Sequence, residues 1–153
     1  MFFAAIGPLY LIAIAWPLAR IDIREHRLPN RLVLPAFPIT LAGQVAADLF
    51  TMDFWRTAGA LALAIVAFGL GLFANRNDSL GMGDVKLIAA MALALGWFNP
   101  LSLVVALSVA FIAAGFMVVA KYLVRKTNMG SSIALGPYLL AGYSFVAIGQ
   151  VLS

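Results

Sequence analysis

Six carboxylates are all the acid in a chain of 153 residues. Two of them, Asp22 and Asp84, stand where uncharged stretches meet basic ones. Asp84 closes the stretch Gly81-Met82-Gly83-Asp84, with Lys86 just beyond it. Glycines let a backbone approach its neighbours closely and reach positive φ. That suits a tight entry into a helix, with the carboxylate near the positive end of the helix dipole. Asp22 opens the stretch Asp22-Ile23-Arg24-Glu25-His26-Arg27-Leu28-Pro29-Asn30. Two carboxylates that meet can divide acid and base work. Like charges a few ångströms apart resist ionising together, so one keeps its proton while the other activates water. Such a water can attack a peptide carbonyl whose oxygen the protonated partner polarises.

Each motif taken singly also has a plainer reading. Asp84 can cap a helix, and Asp22 can belong to an ordinary basic loop. Lys86 reads first as a long side chain reaching from an apolar stem to water, although it could also help hold Asp84 ionised. His26 reads as an exposed loop residue rather than a ligand or base. Asp48 and Asp53 read as solvated charges of one loop, and Glu25 and Asp78 as solvated charges of others.

The elements that would position these residues are dictated by composition. The chain is 64% hydrophobic and 10% charged, against about 45–50% and about 25% for an ordinary soluble domain. The excess apolar surface must face lipid. Length allows one domain, residues 1–153. With no cysteine, disulfides, thiolate metal sites and a cysteine nucleophile are excluded, and no cofactor or metal site is implied. The net charge of +4 is spread over short loops with no aromatic interleaving, which argues against nucleic acid as a partner. The opening MFFAAIGPLY lacks a positive n-region, so the first segment reads as a permanent helix rather than a cleaved signal peptide.

A spanning helix needs about 20 apolar residues. Residues 1–19, 32–47 and 57–74 provide three candidates, the second weakened by Pro35 and Pro38 near its start. The uncharged run 87–120 would be about 51 Å long as one helix, against a hydrocarbon core of about 30 Å. It must therefore turn at Asn99-Pro100. Its first half, 87–98, would be only about 18 Å long, so that helix must extend backward through Asp84. A sixth span lies near 133–152. The expectation is an all-α, polytopic membrane protein with six transmembrane helices. Six spans place nine of the ten Lys and Arg residues on one side, with Arg56 alone opposite. By the positive-inside rule both termini are then outside, and Asp22 and Asp84 lie at the cytoplasmic edge.

An Asp followed by a basic loop ending in Leu-Pro-Asn, then GMGDVKL opening a later helix, resembles the prepilin peptidase family of GxGD membrane aspartyl proteases. Leu135-Gly136-Pro137 is similar to that family's Gly-Pro signature, and the likeness covers nearly the whole chain. The resemblance implies catalytic roles for Asp22 and Asp84, a loop shaped by Gly81 and Gly83, and structural roles for Pro29 and Asn30. It implies residence in a bacterial inner membrane and cleavage, at the cytoplasmic face, of the basic leader that precedes the apolar helix of type IV prepilins or pseudopilins. Larger members carry a cytoplasmic insert with paired cysteines and also N-methylate the new terminus. This chain has neither insert nor cysteine, so it looks like the short, peptidase-only branch of tight-adherence (Flp) pilus systems, and methyl transfer is not implied.

Two other readings stay open on the residues alone. One is a small proton- or ion-coupled transporter using the same acids, against which stands the lack of a second copy of either motif. The other is a non-catalytic membrane scaffold for pilus assembly, with both acids as caps.

Overall fold

Long uncharged runs leave the backbone no partner but itself, and the helix is the structure that satisfies each segment internally. The computed structural model describes residues 2–76, 80–125 and 134–152. Among these there is no strand, and a short 3-10 turn, Phe3–Ala5, precedes seven α-helices. They are α1 Ile6–Glu25, α2 Asn30–Val33, α3 Ala36–Thr51, α4 Trp55–Arg76, α5 Met82–Gly96, α6 Leu101–Arg125 and α7 Gly136–Leu152. Asp78 and Lys126 lie outside the described residues.

Four helical stretches are long and apolar enough to cross a membrane: Phe3–Glu25, Asn30–Thr51, Trp55–Arg76 and Leu101–Ala120. The second combines α2 and α3. Pro35 is the N-cap of α3 and Pro38 lies in its first turn, where the missing N–H interrupts no helical bond. Outward-facing Ile65, Leu70, Phe73, Ile112 and Phe116 are exposed, an apolar surface of the kind that lipid covers. The chain is thus a multi-pass membrane protein.

α5 is the hub. It has 15 residues, about 22 Å of helix, and Val85 and every residue from Leu87 to Gly96 are buried. A helix that is apolar all round is one enclosed by others. α4 lies antiparallel on it through the small-residue stripe Ala60, Ala64, Ala67 and Gly71. A Cβ at Gly71 would sit 2.7 Å from Val85 Cγ1, and one at Gly96 would sit 3.0 Å from Ala60 Cα. α6 and α7 pair in the same way, Gly142 lying against the backbone of Ala106 and Ala110. The chain turns at residues 97–100 as expected, and Asn99 Oδ1 accepts the Leu101 N–H at 3.0 Å to start α6.

The expectation for Asp48 is overturned. Asp48 is not a solvated loop charge. It lies in α3, fully buried, and its Oδ1 accepts the Trp97 Nε1–H at 2.7 Å. The reason is register: Thr40, Gln44 and Asp48 recur every fourth residue and form the inward face of α3. Gln44 Nε2 donates to the Leu93 carbonyl of α5 at 2.7 Å. Asp53 does keep its expected character, half-exposed beside Arg56 at 3.2 Å.

Candidate active site

The buried face of α1 is Gly7, Pro8, Leu11, Ile14, Leu18 and Asp22, a helical repeat of three and four residues. The helix runs past the uncharged segment to Glu25, so Asp22 stands on the inward stripe of its last turns, while Arg20 and Arg24 point outward. Arg20 sits 5.6 Å from the Trp16 ring centroid. His26 ends the helix in the left-handed region, φ 49°, with its N–H on the Asp22 carbonyl at 2.9 Å. This conformation closes helices by reversing the chain direction. His26 is exposed, as the sequence implied.

Asp84 lies in the first turn of α5, whose N-cap is Gly81 in extended geometry, with no side-chain cap hydrogen bond among the described residues. The helix begins at Met82, so it does extend backward through Asp84. Asp84 is therefore inside the helix rather than its cap. The positive φ expected of Gly81 and Gly83 does not occur; no described glycine has it. The glycines serve close approach instead. A Cβ on Gly83 would fall 2.8 Å from Leu28 Cβ, and one on Gly81 would fall 3.2 Å from Asp84 Oδ2.

α7 supplies the third wall. Its first residue, the buried Gly136, donates its main-chain N–H to Asp22 Oδ2 at 3.0 Å. A Cβ there would stand 2.6 Å from that oxygen and 3.3 Å from Leu28 Cδ2. Pro137 follows in the first turn, where its lack of an N–H is harmless. Lys86 Nζ donates to Asn30 Oδ1 at 3.0 Å. Among the described residues it pairs with Asn30 of the Leu-Pro-Asn stretch rather than with Asp84. Pro29, in extended geometry, is the N-cap of α2.

The C-terminal end of α1 and the N-terminal ends of α2, α5 and α7 therefore meet at one end of the bundle. Between α1, α2 and α5 lies a cleft of about 310 Å³ lined by Asp22, Asp84, Gly81, Gly83, Lys86 and Asn30, with His26, Arg27, Leu28 and Met82. That is the size of a small ligand pocket. Asp22 and Asp84, far apart in sequence, face the same space. No three His, Cys, Asp or Glu side chains gather as metal ligands among the described residues. Leu28 was not singled out from the sequence beyond its place in Leu-Pro-Asn. It packs against the glycines that open both α5 and α7, and that motif was the only signal that could have found it.

Comparison with known proteins places the sequence in a family. The type IV leader peptidase family model matches residues 9–120. A prepilin leader peptidase/N-methyltransferase of Escherichia coli (strain K12) is 32% identical over 150 residues, covering 95% of this chain and 64% of that protein. One of the same name from Dickeya chrysanthemi is 30% identical over 153 residues, covering 98% of this chain and 52% of its own length. The chain thus spans between half and two thirds of these curated relatives. No solved structure matches. A match over most of the chain, taking in both aspartate motifs, shows that this protein belongs to the type IV leader peptidase family.

Proposed function

We propose that the chain is a membrane aspartic endopeptidase that removes the basic leader from type IV prepilins or pseudopilins of the Flp kind, at the cytoplasmic face of a bacterial inner membrane. The observation that carries the reading is the shared cleft: Asp22 from α1 and Asp84 from α5 line one space at one end of the bundle. Six crossings with both termini outside are part of the proposal. α5 and α7 are shorter than the other spans, but α5 is sheathed by its neighbours and does not itself meet lipid. Arg24, Arg27, Arg31, Arg76 and Lys86 belong to the end that holds the cleft, and Arg56 to the other, which by the positive-inside rule turns the cleft toward the cytoplasm.

In the proposed reaction one carboxylate takes a proton from water as the water oxygen bonds to the scissile carbonyl carbon. The other, protonated, gives its proton to the carbonyl oxygen. Collapse of the tetrahedral intermediate breaks the C–N bond, the proton taken from water passes to the leaving amine, and a hydroxyl proton of the intermediate returns to the second carboxylate as the C=O bond re-forms. N-methylation, which the relatives' names include, is not part of the proposal.

The test is co-expression with a candidate Flp-type prepilin, following leader removal by gel shift. Asp22→Asn and Asp84→Asn are each nearly isosteric and remove one titrating group. Both variants insert normally, and cleavage falls at least about a thousandfold, the scale of losing an acid–base group together with the water it orients. Cleavage by either variant at the wild-type rate would overturn the dyad.

A further inference from the structure

The hydrogen bond between the start of α7 and Asp22 reaches beyond packing. A main-chain N–H can donate but never accept. Asp22 Oδ2, which accepts the Gly136 N–H at 3.0 Å, is thereby engaged as an acceptor, which favours Oδ1 as the seat of a proton because the unprotonated oxygen is the better acceptor. The same bond fixes the plane of a carboxyl that would otherwise rotate about its terminal torsion. Only glycine permits it, because a Cβ at position 136 would come within 2.6 Å of Oδ2 and 3.0 Å of the Asp22 carboxyl carbon.

We infer that Gly136 is a positioning residue: its N–H pins one oxygen of Asp22 and commits the other to proton exchange with water in the cleft. This rests on the peptidase reading and deepens it, because it gives the last helix a part in the site. Among the described residues, the charged and titratable groups around the same space are His26 and Arg27 beyond the end of α1, and Asp84 and Lys86 on α5.

The experiment compares Gly136→Ala with two other glycine changes on α7. Gly142→Ala would set a Cβ 2.4 Å from the Ala106 carbonyl oxygen, and Gly149→Ala would meet nothing within 4 Å. Purified protein is assayed on a prepilin peptide across pH, and its thermal unfolding is followed. In parallel, 15N-glycine-labelled protein in detergent reports the Gly136 amide resonance with and without Asp22→Asn. In Gly136→Ala, kcat falls about ten- to a hundredfold, the range for a hydrogen bond to a charged group, KM changes less than about twofold, and the acidic limb of the pH profile moves up by about one unit. Gly142→Ala lowers the melting temperature without moving that limb, and Gly149→Ala changes neither. The Gly136 amide shifts in Asp22→Asn while that of Gly149 does not.

Wild-type kcat and pH profile in Gly136→Ala, beside active wild-type enzyme, would overturn the positioning role alone. So would a Gly136 amide indifferent to Asp22→Asn. Intact leader with wild-type enzyme, while the amide still follows Asp22, would overturn the peptidase reading and the catalytic part of this inference with it.

Discussion

Asp22 and Asp48 are both buried carboxylates on helices, and they differ in what their oxygens can meet. Asp22 faces a cleft and takes one main-chain N–H. Asp48 binds the indole of Trp97, which also lies under Arg56, 5.2 Å from the ring centroid. The second oxygen of Asp48 is buried without a hydrogen-bond partner among the described residues. Sequence set Asp48 apart as a solvated charge and missed that it is buried like Asp22. Asp48 looks like a loop acid because Asp53 and Arg56 follow it, and only the four-residue rhythm from Thr40 through Gln44 reveals that it faces inward. Its role is structural, and the consequence is testable. Asp48→Ala strands the Trp97 N–H, and a buried donor without a partner costs about 1–3 kcal/mol. The melting temperature falls by several degrees while leader cleavage persists. Asp48→Asn keeps an acceptor and loses less. Thermal unfolding beside the cleavage assay checks both.

The helices explain why two weak motifs make one site. The inward stripe of α1, at positions 7, 11, 14 and 18, continues to 22, so the period that buries leucines upstream aims a carboxylate inward downstream. That rhythm was legible in the sequence. The end of the helix was not, because Arg20 and Arg24 read as the start of a loop when they are the outer face of the same helix. Leu28 was hidden for another reason. Its partners Gly83 and Gly136 lie far along the chain, and no local pattern foretells that packing. Close approach also governs the α4–α5 seam, along which Val85, next to Asp84, packs on Gly71. Gly71→Ala drives a methyl against Val85 and destabilises by about 1–3 kcal/mol, the usual penalty of overpacking. Val85→Ala in the same chain restores part of that loss, with a coupling of at least about 0.5 kcal/mol. A double-mutant cycle on thermal unfolding measures it, and additive losses would show that the seam does not set the spacing.

Over the whole molecule, the proposed crossings require successive long helices to alternate in direction. Neighbouring long helices run antiparallel, α4 on α5 and α6 on α7, while α3 and α5 run together through Gln44–Leu93 and Asp48–Trp97. The absence of cysteine makes the proposed orientation directly measurable. A membrane-impermeant maleimide added to spheroplasts labels Met52→Cys, at the exposed end of α3. It labels Arg31→Cys only after lysis. The reverse pattern would invert the topology and remove the cleft from the cytoplasm. Parity along the sequence was enough to propose this arrangement. The depth at which α5 is enclosed was not legible, because an all-apolar stretch looks alike whether it faces lipid or protein. The bond from Gly136 to Asp22 also spans time. Its two ends lie 114 residues apart in the chain, and at about 5–20 residues per second of synthesis the carboxylate leaves the ribosome roughly 6–23 s before the amide that holds it. The first acid of the proposed pair is made early and waits for its partner amide, so a nascent chain still lacking α7 carries an unfinished site beside its own ribosome.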